Sequence, residues 1–393
     1  MARHQSPSQS NLRWLADGLL AGGYSAEAVR QQLGIRHPDD IGALNHAPAV
    51  ERLRGDRSAT ATLTRLWFLE TTELQRTVDK ALGTDACERL IGIGLLRRCS
   101  AGRVVARLRI EAVDQQYFLA DRRFLGVDRT ALHLSGRDPV YPPSSDSFLL
   151  REIIPMNGDP SVLDLCCGSG VQALTFATRA SRLAGVDLNP RAVAIAELNA
   201  GLNGVDRFDV RCGDLYAPLH REQFDVILAN PPFVSSPYER GPAYHAGGAS
   251  GDRILRRIIK GYSKHLAPQG RAFAISHVGL RRGETMTGVA AKWFADFPGR
   301  ALIVTLESGS RVDLAAAQAQ FAFERGRRAY AAEVRRWVDY LRRHRIDSIV
   351  AFLAVAERNG TNSIEVVDGS PRILPLPLTP SASQRVADWL LKK

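Results

Sequence analysis

The chain has 393 residues, 45% of them hydrophobic, five cysteines and a formal charge of +11, which is enough for two soluble domains. No apolar run approaches the roughly 18–20 uninterrupted residues of a membrane span, and the amino terminus MARHQSPSQSNLRW has no apolar signal core, so the expectation is a cytoplasmic protein with no membrane partner. Cys87, Cys99, Cys166, Cys167 and Cys212 form no spaced set with histidines, which predicts reduced thiols and no metal site.

In chain order, residues 11–35 carry leucine and alanine at helical spacing, with a helix start at Ser25-Ala-Glu-Ala. A second helical block covers about 60–80, and DACERLIGIGLL, residues 85–96, predicts a short helix ending in glycine. Two β-rich stretches follow, at 103–110 and 116–119. Helices followed by a short hairpin outline a small winged-helix-like amino-terminal domain, residues 1–130, for substrate recognition or as a lid.

From Ser161 the pattern becomes a regular alternation of apolar strands and helices. Strands are expected at 161–166, 182–188, 207–212, 224–229, 271–277 and 301–306, with helices at 171–180, 190–203, 251–266 and 285–296. An arginine-rich helix over 312–345, a strand at 348–356, a Pro-rich segment at 371–380 and a terminal helix complete a second domain, 131–393. This alternation predicts an α/β fold, a mostly parallel Rossmann-like sheet with helices on both faces. Between positions 325 and 345 eight arginines stand against only Glu333 and Asp339, which suits either a solvated helix face or contact with nucleic acid.

In a sheet of this kind ligands sit beyond the carboxyl ends of the strands, and three consecutive strand ends carry an acid. The first reads Val162-Leu-Asp164-Leu-Cys-Cys-Gly168-Ser-Gly170, whose glycines let the backbone turn tightly near a ligand. The second ends in Asp187-Leu-Asn-Pro, placing a carboxylate where it can accept two ribose hydroxyls. The third ends in Gly-Asp214-Leu215, where a short acid can take an adenine amino group while Leu215 packs on the ring. Each acid alone could be a helix cap; three in register imply a nucleoside ligand, and no third glycine completes a dinucleotide fingerprint.

The fourth strand stops at Asn230-Pro231-Pro232-Phe233. Amide and aryl-amine nitrogens are poor nucleophiles, because their lone pairs are delocalised. The Asn230 side-chain oxygen and the Pro231 carbonyl can accept the two hydrogens of such a nitrogen and aim it. The prolines hold the turn rigid, and Phe233 offers a face for a planar substrate. Tyr238, Tyr244 and the loop containing Gly247 and Gly248 are expected to overhang the same pocket, while Asp252 is expected to cap the following helix.

DLCCGSG, VDLNP, GDL and NPPF, in this order and spacing, resemble the class I S-adenosylmethionine-dependent methyltransferases. The closer resemblance is to the branch that contains release-factor glutamine, ribosomal RNA guanine and adenine-N6 methyltransferases. Upstream, DPVYPPSSDSFL resembles the VYxPxxDSxLL segment of the glutamine and adenine enzymes, which implies that Tyr141 and Asp146 line the cofactor pocket. The resemblance spans roughly 130–310 and implies S-adenosylmethionine as cofactor. It implies transfer to a planar nitrogen, foremost a nucleobase amino group in RNA or the ribosome. A protein glutamine or a small-molecule acceptor stays open, as does a cofactor-binding scaffold without catalysis.

Overall fold

The computed structural model describes residues 12–123, 139–155, 158–238, 247–369 and 380–391. Among the described residues, α1 (Arg13–Ala21), α2 (Ala26–Leu33), α3 (Ala43–Arg52) and α4 (Ala59–Leu63) come first. The expected helix over 11–35 is broken between α1 and α2, where Gly23 takes φ +71°. The Ser25 hydroxyl then caps α2 by accepting from the Ala28 amide at 3.1 Å. The block at 60–80 is also interrupted. A π turn at Thr64–Phe68 and Glu70 at φ +57° lead into β1 (Glu73–Leu74) before α5 (Gln75–Leu82) begins.

After α6 (Ala86–Gly92), β2 (Leu96–Arg98) and β3 (Arg103–Ala106) form a hairpin, and β3 also pairs antiparallel with β1, giving the sheet order β1-β3-β2. Helix, short strand, two helices and a hairpin returning to the first strand is the winged-helix arrangement. The expected strand at 103–110 divides, because β4 (Arg109–Val113) pairs instead with β5 (Gln116–Ala120) in a separate hairpin.

The chain continues through α7 (Ser145–Ile153), β6 (Ser161–Leu165), α8 (Val171–Leu174), β7 (Arg182–Asp187), α9 (Pro190–Leu202), β8 (Phe208–Cys212) and β9 (Phe224–Ala229). Then come α10 (Arg253–His265), β10 (Leu266–Arg281), α11 (Met286–Trp293), β11 (Arg300–Ser310), α12 (Arg311–Gln318) and α13 (Arg327–Arg343). The series ends with β12 (Ile346–Glu357), β13 (Ser363–Asp368) and α14 (Pro380–Leu391). The helix expected at 171–180 is only the four residues of α8. The single helix expected over 312–345 is two, separated by a 3-10 turn at Gln320–Arg325 and by Gly326 at φ +96°. Of the Pro-rich segment 371–380, residues 371–379 lie outside the described residues, and Pro380 opens α14.

Among the described residues the large sheet has eight strands in the order β13-β11-β12-β10-β9-β6-β7-β8. β6 is parallel to both β7 and β9, and β9 is parallel to β10. β12 inserts antiparallel between β10 and β11, and β13 adds an edge strand parallel to β11. The open, mostly parallel α/β sheet expected from the alternation is therefore present. From β6 the chain moves outward to β7 and β8, then returns to the other side for β9 and β10. This reversal creates a crevice at the carboxyl ends of β6 and β9, the position at which such sheets bind ligands.

Two compact units emerge: the described parts of Met1–Ser145, Gly168–Leu174 and Pro190–Val210, and those of Asp146–Cys167, Thr175–Asn189 and Arg211–Lys393. The first has a core built on Leu15, Leu66, Trp67, Val78, Leu90 and Ile110. It also buries Arg109 completely, with its guanidinium on Glu111 at 2.6 Å, on the Phe68 carbonyl at 2.6 Å and beside Glu70 at 3.5 Å. The second packs Leu163, Ile227, Ala274, Ile303 and Phe352 with the apolar face of α10, where Leu255, Ile258, Ile259 and Tyr262 recur at helical spacing.

Candidate active site

Strand ends of the second unit bring three acids to one neighbourhood. Asp164 is buried within β6, Asp187 is the last residue of β7, and Asp214 follows β8 by two positions. Cys166, one residue beyond β6, reports their convergence. Burial raises its thiol pKa well above the ordinary value, and the charges of Asp187, Asp164 and Asp214 raise it further, in that order. Cys167 is raised in the same way by burial, then by Asp164 and Asp187. Both thiols stay protonated and act as small packing groups.

The backbone here is bent sharply. Cys166 takes φ +58° and Leu215 takes φ +52°, left-handed conformations that L side chains rarely adopt, and the continuing turn holds Gly168 at +53° and Gly170 at +78°. A Cβ on Gly168 would meet nothing within 4 Å, so that bend faces open space, whereas one on Gly170 would strike Phe208 at 2.9 Å. The turn is tied back by the Cys167 amide donating to the Val186 carbonyl at 3.1 Å.

The acids differ in their surroundings. Asp187 accepts from the Asn189 amide at 2.8 Å, and its carbonyl accepts from the Gly213 amide at 2.9 Å, which ties the ends of β7 and β8 together. Asp214 is half exposed and pairs with Arg257 of α10 at 2.8 Å, a partner 43 positions away. Leu215 is 7% exposed and packs in the core of the unit. Asp146 lies in the first turn of α7, and Tyr141 stands in the preceding segment with 46% of its surface exposed.

At the end of β9, Asn230 is partly exposed, Pro231 is buried, and Pro232 and Phe233 are partly exposed. Among the described residues the Asn230 side-chain amide makes no hydrogen bond, which leaves its oxygen to accept from a ligand. One face of Phe233 is occupied, since its ring stacks on His277 of β10 with centroids 4.2 Å apart. His277 keeps some solvent exposure, yet protein surrounds most of the ring, and this burial lowers its pKa to about 4. It is therefore neutral at pH 7.

Residues 247–252 wrap the motif from behind. A Cβ on Gly251 would lie 2.6 Å from the Phe233 carbonyl oxygen, and one on Gly247 would lie 2.7 Å from the Phe233 carbonyl carbon. Only glycine lets two backbones approach this closely. The Ser235 hydroxyl donates to the Ala249 carbonyl, and the Gly279 amide donates to the Ser250 carbonyl at 2.7 Å. Gly248 turns at φ +78° against Arg253. Asp252 does not cap α10 with its side chain. Its buried carboxylate instead accepts from Ser250 Oγ at 2.5 Å and Trp293 Nε1 at 2.9 Å, which anchors the loop.

Tyr238 has its hydroxyl engaged. It donates to the buried Glu333 of α13, Glu333 also accepts from Trp337 Nε1 at 3.0 Å, and Arg336 donates to the tyrosine oxygen at 3.1 Å. Tyr244 falls outside the described residues. His277, Arg257 and Glu333 are the site residues that motif spacing misses, because each reaches the site from a distant element; Asp252, expected as a cap, is an anchor instead. Among the described residues no three His, Cys, Asp or Glu side chains gather as a metal site, and no helix is long and apolar enough to cross a membrane.

The donor set fits S-adenosylmethionine: Asp164, Asp187 and Asp214 are carboxylates suited to ribose hydroxyls and to a cationic sulfonium. Comparison with known proteins agrees. Residues 144–293 match the methyltransferase small-domain family, and residues 21–107 match a domain of unknown function, DUF7059. The chain is 36% identical over 121 residues to a ribosomal protein uL3 glutamine methyltransferase of Bradyrhizobium diazoefficiens, covering 28% of this chain and 38% of that protein. It is 35% identical over 137 residues to a Methanocaldococcus jannaschii protein named for N5-glutamine methyl transfer, covering 33% and 68%. It is 31% identical over 144 residues to a tRNA1(Val) (adenine(37)-N6)-methyltransferase of Shewanella halifaxensis, covering 34% and 57%. The matched region thus spans less than two thirds of the Bradyrhizobium and Shewanella relatives.

Proposed function

The chain belongs to the methyltransferase small-domain family, and from that premise we propose that this S-adenosylmethionine-dependent methyltransferase methylates a planar nitrogen, foremost a nucleobase amino group in RNA. The observation that carries the proposal is Asn230. Its side-chain oxygen is unengaged among the described residues, at the end of β9 on the crevice side of the sheet, beside the rigid Pro231-Pro232 turn.

S-adenosylmethionine supplies the electrophilic methyl group when bound. Asp187 would accept the ribose hydroxyls and Asp214 with Leu215 would hold the adenine; Asp164, Gly168, Gly170, Tyr141 and Asp146 are the other residues assigned to the cofactor. Asn230 Oδ1 and the Pro231 carbonyl accept the two hydrogens of the acceptor nitrogen. That aims its lone pair and favours the positive charge that develops there as the N–C bond forms and the S–C bond breaks. The free face of Phe233 carries the acceptor plane, while His277 fixes the ring from the other side. One proton leaves the methylated nitrogen after transfer, so no strong base is required. Residues 1–130 serve recognition, residues 131–393 perform the transfer, and the reaction belongs in the cytoplasm.

A second reading is methylation of a protein glutamine amide, favoured by the uL3 and N5-glutamine enzymes among the relatives; an amide presents the same two hydrogens to the same two acceptors. The arginine-rich α13, in the same unit as the motif, favours RNA. Asn230→Ala tests the shared chemistry. Single-turnover transfer at saturating cofactor should fall by about 10²–10³-fold while the Kd for S-adenosylmethionine is unchanged. An unaltered rate would remove Asn230 from the mechanism.

A further inference from the structure

The exposed face of α13 is a line of arginines with little counter-charge. Arg328, Arg335 and Arg342 recur every seven residues, with Arg336 and Arg343 beside them, and all five are exposed. At about 1.5 Å rise per residue the first three stand ~10 Å apart along ~21 Å of helix. Glu333 is buried beneath them, and Asp339 is the one exposed acid on the helix, 3.8 Å from Arg342.

Two features distinguish this face from one that merely solvates a helix. A self-stabilised surface helix interleaves acids four residues before its cations, yet the positions four before Arg335, Arg336 and Arg342 are Ala331, Ala332 and Val338, and within α13 only Arg343 has an acid there, Asp339. Arg335 has no carboxylate within 4 Å among the described residues. The first turn also holds Arg327 and Arg328 and no acid, at the end of the helix where the macrodipole favours anions. The arrangement costs helix stability and suits an external polyanion.

An adjoining side of α13 is tied to Tyr238. Tyr238, five residues beyond Phe233, donates to Glu333 and accepts from Arg336, whose guanidinium carbon lies 5.5 Å above the tyrosine ring. Whatever lies along the arginine line is thereby indexed to the segment leaving Asn230–Phe233. One exposed ring lies near the start of the helix: Phe323 is 45% exposed and meets the half-buried Tyr330 edge-on at 5.8 Å. Guanidinium groups at regular intervals with adjacent rings are what single-stranded nucleic acid requires, phosphates taking the forks and bases the ring faces. The arginine face itself presents no large apolar side chain for a membrane.

We propose that the Arg328–Arg335–Arg342 face of α13 binds the phosphate backbone of the RNA substrate and, through Tyr238, Glu333 and Arg336, sets that strand relative to the acceptor motif. This rests on the RNA reading of the function.

The test is binding of the full chain to a labelled single-stranded RNA oligonucleotide across a range of salt, with Arg328→Ala, Arg335→Ala and Arg342→Ala combined. Loss of three phosphate contacts should weaken binding and make the slope of log K against log salt shallower by about 2. The corresponding triple lysine variant should regain most of the slope, which separates lost charge from misfolding. A triple alanine variant with the wild-type slope overturns the proposal, as does a wild-type chain that fails to bind RNA. A chain that prefers poly-glutamate also overturns it, in favour of a protein partner. The measurement does not depend on which nitrogen is methylated. Methyl label appearing in protein would therefore strike the RNA reading of the reaction, and an unchanged slope would strike α13 alone.

Discussion

Asp187 shows how one side chain is set by its position. It closes β7, is held by the Asn189 amide, and stands with Asp164 and Asp214 around Cys166. Asp187→Ala should raise the Kd for S-adenosylmethionine by about 10–100-fold, the worth of one or two charge-assisted hydrogen bonds. Titration calorimetry reads this directly, and an unchanged Kd would remove Asp187 from the cofactor site. These acids and the NPPF turn are visible in the sequence, because strand ends and their acids are local. The Arg257 partner of Asp214 and the His277 ring behind Phe233 are not, since both arrive from other elements. His277 adds a pH dependence. Unfolded histidine takes up a proton below about pH 6.5, whereas this one stays neutral to about pH 4. The unfolded state binds the extra proton in that window, so stability should fall as pH drops from about 6.5 to about 4, by at most about 3–4 kcal/mol. Denaturant midpoints against pH should show that slope in the wild type and lose it in His277→Gln; equal slopes would contradict the assignment.

Among the elements, α9 illustrates what periodicity cannot reveal. Asn199 and Asn203 lie four residues apart and offer their carboxamides to the backbone of β5 as a neighbouring strand would. Asn199 bonds both the amide and the carbonyl of Leu119, at 2.7 and 3.0 Å, and Asn203 bonds those of Tyr117, at 2.9 and 2.8 Å. Asn199 also donates to the Ser169 carbonyl at 2.8 Å. The sequence reads as an ordinary helix there, and Asn199 has no local reason to be buried. Asn199→Ala strands buried backbone groups of Leu119 and Ser169 and should cost about 2–4 kcal/mol, read as a lowered denaturant midpoint. A change below about 0.5 kcal/mol would mean that water replaces the carboxamide. Element boundaries elsewhere failed for identifiable reasons. Gly326 at φ +96° splits a continuous helical pattern into α12 and α13, and β13 is a half-exposed edge strand whose SIEVVD sequence has too little apolar weight to declare itself.

For the molecule as a whole, the alternation of strands and helices was enough to anticipate the parallel part of the sheet, because each βαβ step is short and buried. The antiparallel insertion of β12 between β10 and β11 depends on pairings far apart in sequence and left no local trace. The net charge of +11 also conceals two different populations. Arg109 is neutralised in a core by Glu111 and Glu70, whereas the arginines of α13 stand exposed. Composition cannot separate them; burial does. The most direct measurement is transfer of radiolabelled methyl from S-adenosylmethionine by the full chain into an extract of its source cells, followed by digestion of the products. The account predicts label that ribonuclease releases and that co-migrates with an N-methylated nucleoside. Label released only by protease would contradict the RNA assignment while keeping transfer to a planar nitrogen, and label on oxygen or carbon would contradict the role given to Asn230.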